Sequence, residues 1–178
     1  MRSSQGGLTT LKSGAGFRFA IIVARFNSAI TESLRAAARA ALDEAQVKAA
    51  DIEEFSVPGA FELPQAARCA AETSRFDAII ALGCVIRGET PHFEYVSSAA
   101  ANGLMAAAGD TGVPIALGVL TTDTEAQAMA RAGDGADNKG REAAAAAVEM
   151  AALFRTLGRP PARSSTHPFG FGPGSGDR

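Results

Sequence analysis

His92 is the side chain of this sequence best suited to moving protons near neutral pH. It ends a polar run, Arg87-Gly88-Glu89-Thr90-Pro91-His92, that follows an apolar segment and leads into a helical pattern. A strand, a glycine-flanked turn and a helix start together present free backbone N–H groups, which favour an anion. An anion site beside an imidazole is therefore the chemistry that this spacing suggests. Cys84 closes the apolar segment next to the same turn. It reads either as a thiolate nucleophile activated by His92 or, more commonly for a loop cysteine, as a residue that lends its backbone. Cys69 falls in the helical pattern Gln65 to Glu72 and reads as a small buried thiol. With two cysteines in no CxxC arrangement and two histidines in all, the chain offers no zinc-ligand pattern.

Four repeats of strand then helix would position these groups. The strands are expected at Phe17–Ala24, Asp51–Val57, Asp77–Leu82 and Val113–Leu120, with Gly83 to His92 as a loop after the third. Helices are expected from about Ser28 to Gln46, capped by Ser28 or Asn27, and from Ala60 to Thr73 with Pro64 tolerated in the first turns. Three more run from about His92 to Gly109, from the Thr121–Thr124 cap to Ala132, and from Asn138 to Leu157. Such alternation with short connections argues for a four-stranded parallel sheet covered by helices on both faces, an α/β fold.

In an open parallel sheet, ligands bind outside the carboxyl ends of the strands. The loops at that edge carry Arg25-Phe26-Asn27, Pro58-Gly59-Ala60-Phe61-Glu62, the Cys84 to His92 stretch and Thr121-Thr122-Asp123, whereas the opposite edge carries generic turns. Aromatic, amide, carboxylate, guanidinium and imidazole groups thus collect on one side, as a small-molecule site requires. Each also has a structural reading. Phe26 could anchor the first helix, Glu62 could favour its helix N-terminus, Arg87 could be an ion-pair partner, and Asn138-Lys139-Gly140-Arg141-Glu142 could be a cap with a charged face.

Composition narrows the class. The 178 residues suffice for one domain with a real core, 47% of them hydrophobic and 20% charged. A net charge of −2 supplies no general attraction for nucleic acid or an anionic membrane. The apolar runs are strand-sized, and the first residues lack a signal-peptide pattern, so a cytoplasmic location is expected. Residues 1–16 read as a flexible segment, 17–158 as the domain, and 159–178, with His167, as a disordered Pro/Gly/Ser-rich tail.

From Phe17 to Leu157 the chain resembles the lumazine synthase family. The motifs that carry this are Arg25-Phe26-Asn27, Val57-Pro58-Gly59-Ala60-Phe61-Glu62-Leu63-Pro64, Gly83 to Val96, Gly118-Val119-Leu120-Thr121-Thr122, Arg131-Ala132-Gly133 and Asn138-Lys139-Gly140. The resemblance implies a flavodoxin-like three-layer αβα domain and a transferase of riboflavin biosynthesis. Its reaction condenses 5-amino-6-(D-ribitylamino)uracil with 3,4-dihydroxy-2-butanone 4-phosphate through an imine, loss of phosphate and ring closure, with no metal or organic cofactor.

By the same resemblance Phe26 would stack on the pyrimidine, with Asn27, Ala60, Phe61 and Glu62 around the ring edge and ribityl chain. Cys84, Val85 and Ile86 would meet the heterocycle mainly through backbone, which removes the nucleophile reading of Cys84. Gly88, Glu89, Thr90 and Arg131 would bind the phosphate, Lys139 would support it, and His92 would shuttle protons. The family's sites lie between neighbouring subunits of a pentamer, so Leu117 and Arg131 would come from the adjacent chain. Pentamers or assemblies of pentamers, and riboflavin synthase as a candidate partner, are implied as well.

Two departures stand out. Leu117 replaces a phenylalanine carried by many members, and Gly133-Asp134-Gly135-Ala136-Asp137 replaces a more basic connection. Weaker pyrimidine binding is expected from the first. Two other classes share this architecture: a flavodoxin-like binding or signalling domain, and a shell-forming paralogue that binds a lumazine or flavin and turns over poorly. Arg25-Phe26-Asn27 after the first strand lacks the acidic residues of a phosphoacceptor and the hydroxyl-rich loop of a flavodoxin. Leu117 keeps the paralogue open.

Overall fold

A computed structural model describes residues 11–160. Expectations for residues 1–10 and for the tail from 161 onward, His167 included, lie outside the described residues. Chain order is β1 (Phe19–Ala24), α1 (Ser28–Glu44), β2 (Ile52–Val57), α2 (Leu63–Glu72), β3 (Ala78–Ile86), α3 (His92–Thr111), β4 (Ile115–Thr122), α4 (Glu125–Ala132) and α5 (Lys139–Thr156). The strands form one sheet in the order β2-β1-β3-β4, with every pair parallel. The expected fold class is therefore the observed one.

Helices cover both faces. One core layer packs α1, α4 and α5 against Ile21, Ile80 and Leu82, and the other packs α2 and α3 against Ile22, Ile79 and Ala81. Since successive strand side chains point to opposite faces, both layers need apolar residues, so β1 reads Phe-Ala-Ile-Ile-Val-Ala and is buried throughout. The helices show the complementary period. In α2 the buried residues are Leu63, Ala67 and Ala71, one per turn. Cys69 falls on the other face of that helix and is exposed, which corrects its reading as a buried thiol.

Gly83 does not open a turn. The strand continues through it to Ile86, because β4 offers partners from Val119 to Thr122. What the glycine supplies is clearance: a Cβ there would stand 3.0 Å from Leu63 Cδ1. At the start of α1 the expected cap is also different. Asn27 occupies the cap position in the left-handed region, φ 58°, and its side chain makes no cap bond. The Thr124 and Asn138 side chains do cap α4 and α5, accepting from the backbone N–H of Gln127 and Gly140.

The two sheet edges differ in kind. On β2, Glu54 is paired with Arg35 and Arg39 of α1 and Glu53 with Arg18 and Arg75, a charged edge of the sort that discourages further strand pairing. On β4 the outward stretch Ile115-Ala116-Leu117 carries no charge, and Leu117 is 55% exposed.

Candidate functional site

Two hollows flank the sheet, and they share no lining residue. The first, about 680 Å³, lies beyond the carboxyl ends of β1, β2 and β3, between the α2 and α3 N-termini. Phe26 from the β1 loop and Pro58 to Glu62 from the β2 loop form one wall. Cys84, Val85 and Ile86 form the floor, and Gly88, Thr90 and His92 close the far side with Phe93, Tyr95 and Val96 of α3. Asn27 and Glu89 do not line this space.

Its rim is aromatic and open to solvent. Phe26 is 70% exposed, Phe61 62% and Tyr95 73%. The exposure of Phe26 overturns its reading as an anchor for α1, whose apolar face is made by Ile30, Leu34, Ala38 and Leu42. Exposed rings gathered around a concavity are a recognised mark of a site that is covered in use. Tyr95 and Val96 follow His92 by three and four residues, so the helix brings all three to one face. That spacing is the signal by which Tyr95 could have been picked out of the sequence.

Several candidate side chains also hold the site together. Asn27 Nδ2 donates to the Cys84 carbonyl at 3.0 Å, tying the β1 loop to the end of β3. One Glu62 oxygen accepts from the Gly59 N–H at 2.9 Å, which fixes the turn before α2 and leaves the second oxygen for other donors. Cys84 is buried, and burial, with the Glu125 carboxylate a lesser cause, pushes its thiol up to about 11. At neutral pH it is a thiol and a poor nucleophile, in line with a backbone role.

The second hollow, about 410 Å³, lies along the open edge of β4. Leu117, Arg131 and Lys139 line it, with Glu142 and Ala143 of α5. Lys139 Nζ pairs with Glu142 at 2.6 Å, and Asn138, buried, donates to the Ala132 and Gly133 carbonyls at 2.9 and 3.1 Å. The structural reading of that stretch, a cap with a charged face, therefore holds. Arg131 donates to the Gln127 carbonyl and has no carboxylate partner among the described residues.

Leu117 is far from Phe26 within one chain. Leu117 aligns with Ala81 on β3, and Val23 on β1 aligns with Leu82. Phe26 and Leu117 thus stand two strand spacings and four residue rises apart, about 16 Å between backbones. Within one chain Leu117 and Arg131 do not line the hollow that holds His92. Among the described residues no three His, Cys, Asp or Glu side chains converge as metal ligands would, and no helix is long and apolar enough to cross a membrane.

Residues 16–155 match the family model described as 6,7-dimethyl-8-ribityllumazine synthase. Proteins bearing that same name are similar to the chain over most of its length. The one from Anaeromyxobacter dehalogenans (strain 2CP-C) is 50% identical over 152 residues, 85% of this chain and 94% of the relative. Those from Salinibacter ruber (strain DSM 13855 / M31) and Syntrophus aciditrophicus (strain SB) are each 52% identical, across 80% of this chain and 91% and 92% of the relatives.

Proposed function

The chain belongs to the 6,7-dimethyl-8-ribityllumazine synthase family, and from that membership we propose how it performs the family's reaction. It is a transferase of riboflavin biosynthesis. It joins 5-amino-6-(D-ribitylamino)uracil to 3,4-dihydroxy-2-butanone 4-phosphate and releases phosphate. The aromatic amine attacks the ketone and water leaves, giving an imine. Loss of the proton from the hydroxyl-bearing carbon then expels phosphate and leaves an enol, which takes up a proton at the former phosphate-bearing carbon to become a ketone. Attack of the ribitylamino nitrogen on this new carbonyl closes the ring with loss of a second water. Every step moves a proton, and His92 is the group at the hollow that takes and returns them.

The observation that carries this reading is the hollow itself: three exposed aromatic rings and an imidazole around an apolar floor, next to the Gly88–Thr90 turn. Phe26 stacks on the pyrimidine, Ala60, Phe61 and Glu62 hold the ribityl side, and the β3 end from Cys84 to Ile86 meets the ring through backbone. Gly88, Glu89 and Thr90 receive the phosphate.

The site is completed by a second copy of the chain. Leu117 and Arg131 sit along an uncharged open edge, outside the hollow of their own subunit. A cyclic homo-oligomer, a pentamer or an assembly of pentamers, presents that edge to the next subunit's hollow, with Arg131 neutralising the phosphate and Lys139 supporting it. Residues 17–158 form the catalytic domain, and the protein works in the cytoplasm, with riboflavin synthase as the enzyme that takes its product.

The direct test mixes purified protein with both substrates and follows lumazine absorbance and phosphate release against an uncatalysed control. Stoichiometric release of phosphate with lumazine, well above the control rate, is the expected result. A rate no faster than the control overturns the enzyme reading and favours a lumazine-binding paralogue.

A further inference from the structure

Arg87 belongs to neither hollow, yet it joins the elements around them. Its backbone N–H donates to the Thr122 carbonyl at 2.9 Å, extending the β3–β4 ladder by one bond. Its Nε donates to Asp123 at 2.7 Å and its Nη1 to Glu94 at 2.6 Å. The guanidinium lies 4.2 Å from the centre of the Phe93 ring. One planar group thus grips the β4–α4 connection and the first turn of α3 at once, and both carboxylates hold its pKa above the ordinary arginine value. The turn Gly88 to Pro91 is exposed and enters no helix or strand, so Arg87 and Glu94 are its fixed ends. Asp123 extends the connection further: its N–H donates to the Gln127 side chain at 3.0 Å, and the Gln127 carbonyl receives Arg131 at 2.9 Å.

We propose that Arg87 is a positioning residue for phosphate binding: it clamps the Gly88–Pro91 turn between β4–α4 and α3 and does not itself bind the phosphate. The proposal rests on the reading of that turn as the phosphate subsite. Arg87 faces two carboxylates, so the trio carries a net negative charge and has no positive charge to spare for an anion. The planar fork and the ring stack are features that lysine does not reproduce.

The test compares Arg87→Gln, Arg87→Lys and Asp123→Asn in the full-length protein. Calorimetry with inorganic phosphate reads the turn without turnover, and steady-state kinetics reads both substrates. All three variants are expected to weaken phosphate binding and raise KM for the butanone phosphate about tenfold, with KM for the pyrimidine within about twofold. The double variant Arg87→Gln/Asp123→Asn is expected to be no worse than Arg87→Gln alone, because both changes cut one clamp.

A direct ligand role predicts the opposite sign at Asp123, since Asp123→Asn would free positive charge. Tighter phosphate binding in that variant, or recovery by Arg87→Lys, overturns the proposal. So does a fall in Tm with phosphate affinity and KM unchanged. Wild-type protein that binds phosphate but forms no lumazine would sink the proposed reaction instead, with the phosphate titrations still reading the clamp.

Discussion

The hollow at the ends of β1–β3 and the hollow along β4 are built from different materials. The first has an apolar floor, exposed rings and an imidazole, all delivered by loops that a parallel sheet places at one end. The second has a cation without a carboxylate partner among the described residues, and a leucine on an open strand edge. The first has the concavity and the exposed rings that suit a planar molecule. The second sets an uncharged strand edge beside an arginine that has no carboxylate partner among the described residues, while the charged β2 edge is closed off by ion pairs. The contrast shows that residue types which read as one site in the sequence can lie in two separate hollows of one chain.

The largest expected effect lies in the first hollow. His92→Ala should lower kcat about 10²-fold with both KM values little changed, as loss of general acid–base transfer does; a rise in KM alone would break the assignment of chemistry to this side. In the second hollow, Arg131→Ala should raise KM for the butanone phosphate about tenfold and leave kcat within a few-fold, as loss of one charge-assisted contact does. Mixing the two variants sharpens the comparison further. Subunits unfolded together and reassembled at random in a ring should regain about a quarter of intact sites if each site draws one half from each of two neighbours, as proposed. No recovery would place both halves in one chain.

A smaller effect is expected from packing. Gly140 is where α5 crosses α1 so closely that a methyl group would overlap the Leu34 carbonyl. Gly140→Ala should cost about 1–3 kcal/mol in chemical denaturation, as overpacking does. It should disturb the Ala132–Asn138 connection, and so Arg131, more than the first hollow. The smallest effect belongs to Cys84. Cys84→Ser should leave kcat within about threefold, as the proposed backbone role requires. In mass spectrometry iodoacetamide at pH 8 should label exposed Cys69 first, and Cys84 labelling should rise with pH toward its value of about 11, where the thiolate forms.

Much of this was legible in the chain. Runs such as Phe-Ala-Ile-Ile-Val-Ala, followed by helical patterns with one small residue per turn, specify strands buried on both faces and helices that pack closely. The clustering of Phe26, Phe61 and His92 followed from the rule that parallel strands deliver their loops to one end. What misled were residues whose role depends on a neighbour in space. Gly83 read as a turn because clearance for Leu63 leaves no mark in local sequence. Asn27 read as a cap because the Cys84 carbonyl that claims it is 57 residues away.

By itself the sequence determined the architecture, the family and the types of group gathered at one end of the sheet, because hydrophobic period, turn residues and motif order are local properties. Only the tertiary structure decided which of those groups meet. It set Phe26 and His92 around one hollow and left Leu117 and Arg131 on another, because strand order and register, β2-β1-β3-β4 with Leu117 opposite Ala81, are set by packing across the sheet. It also gave Arg87, an ion-pair candidate in the sequence, its actual partners, two carboxylates and a ring that converge in space from the β4–α4 connection and α3.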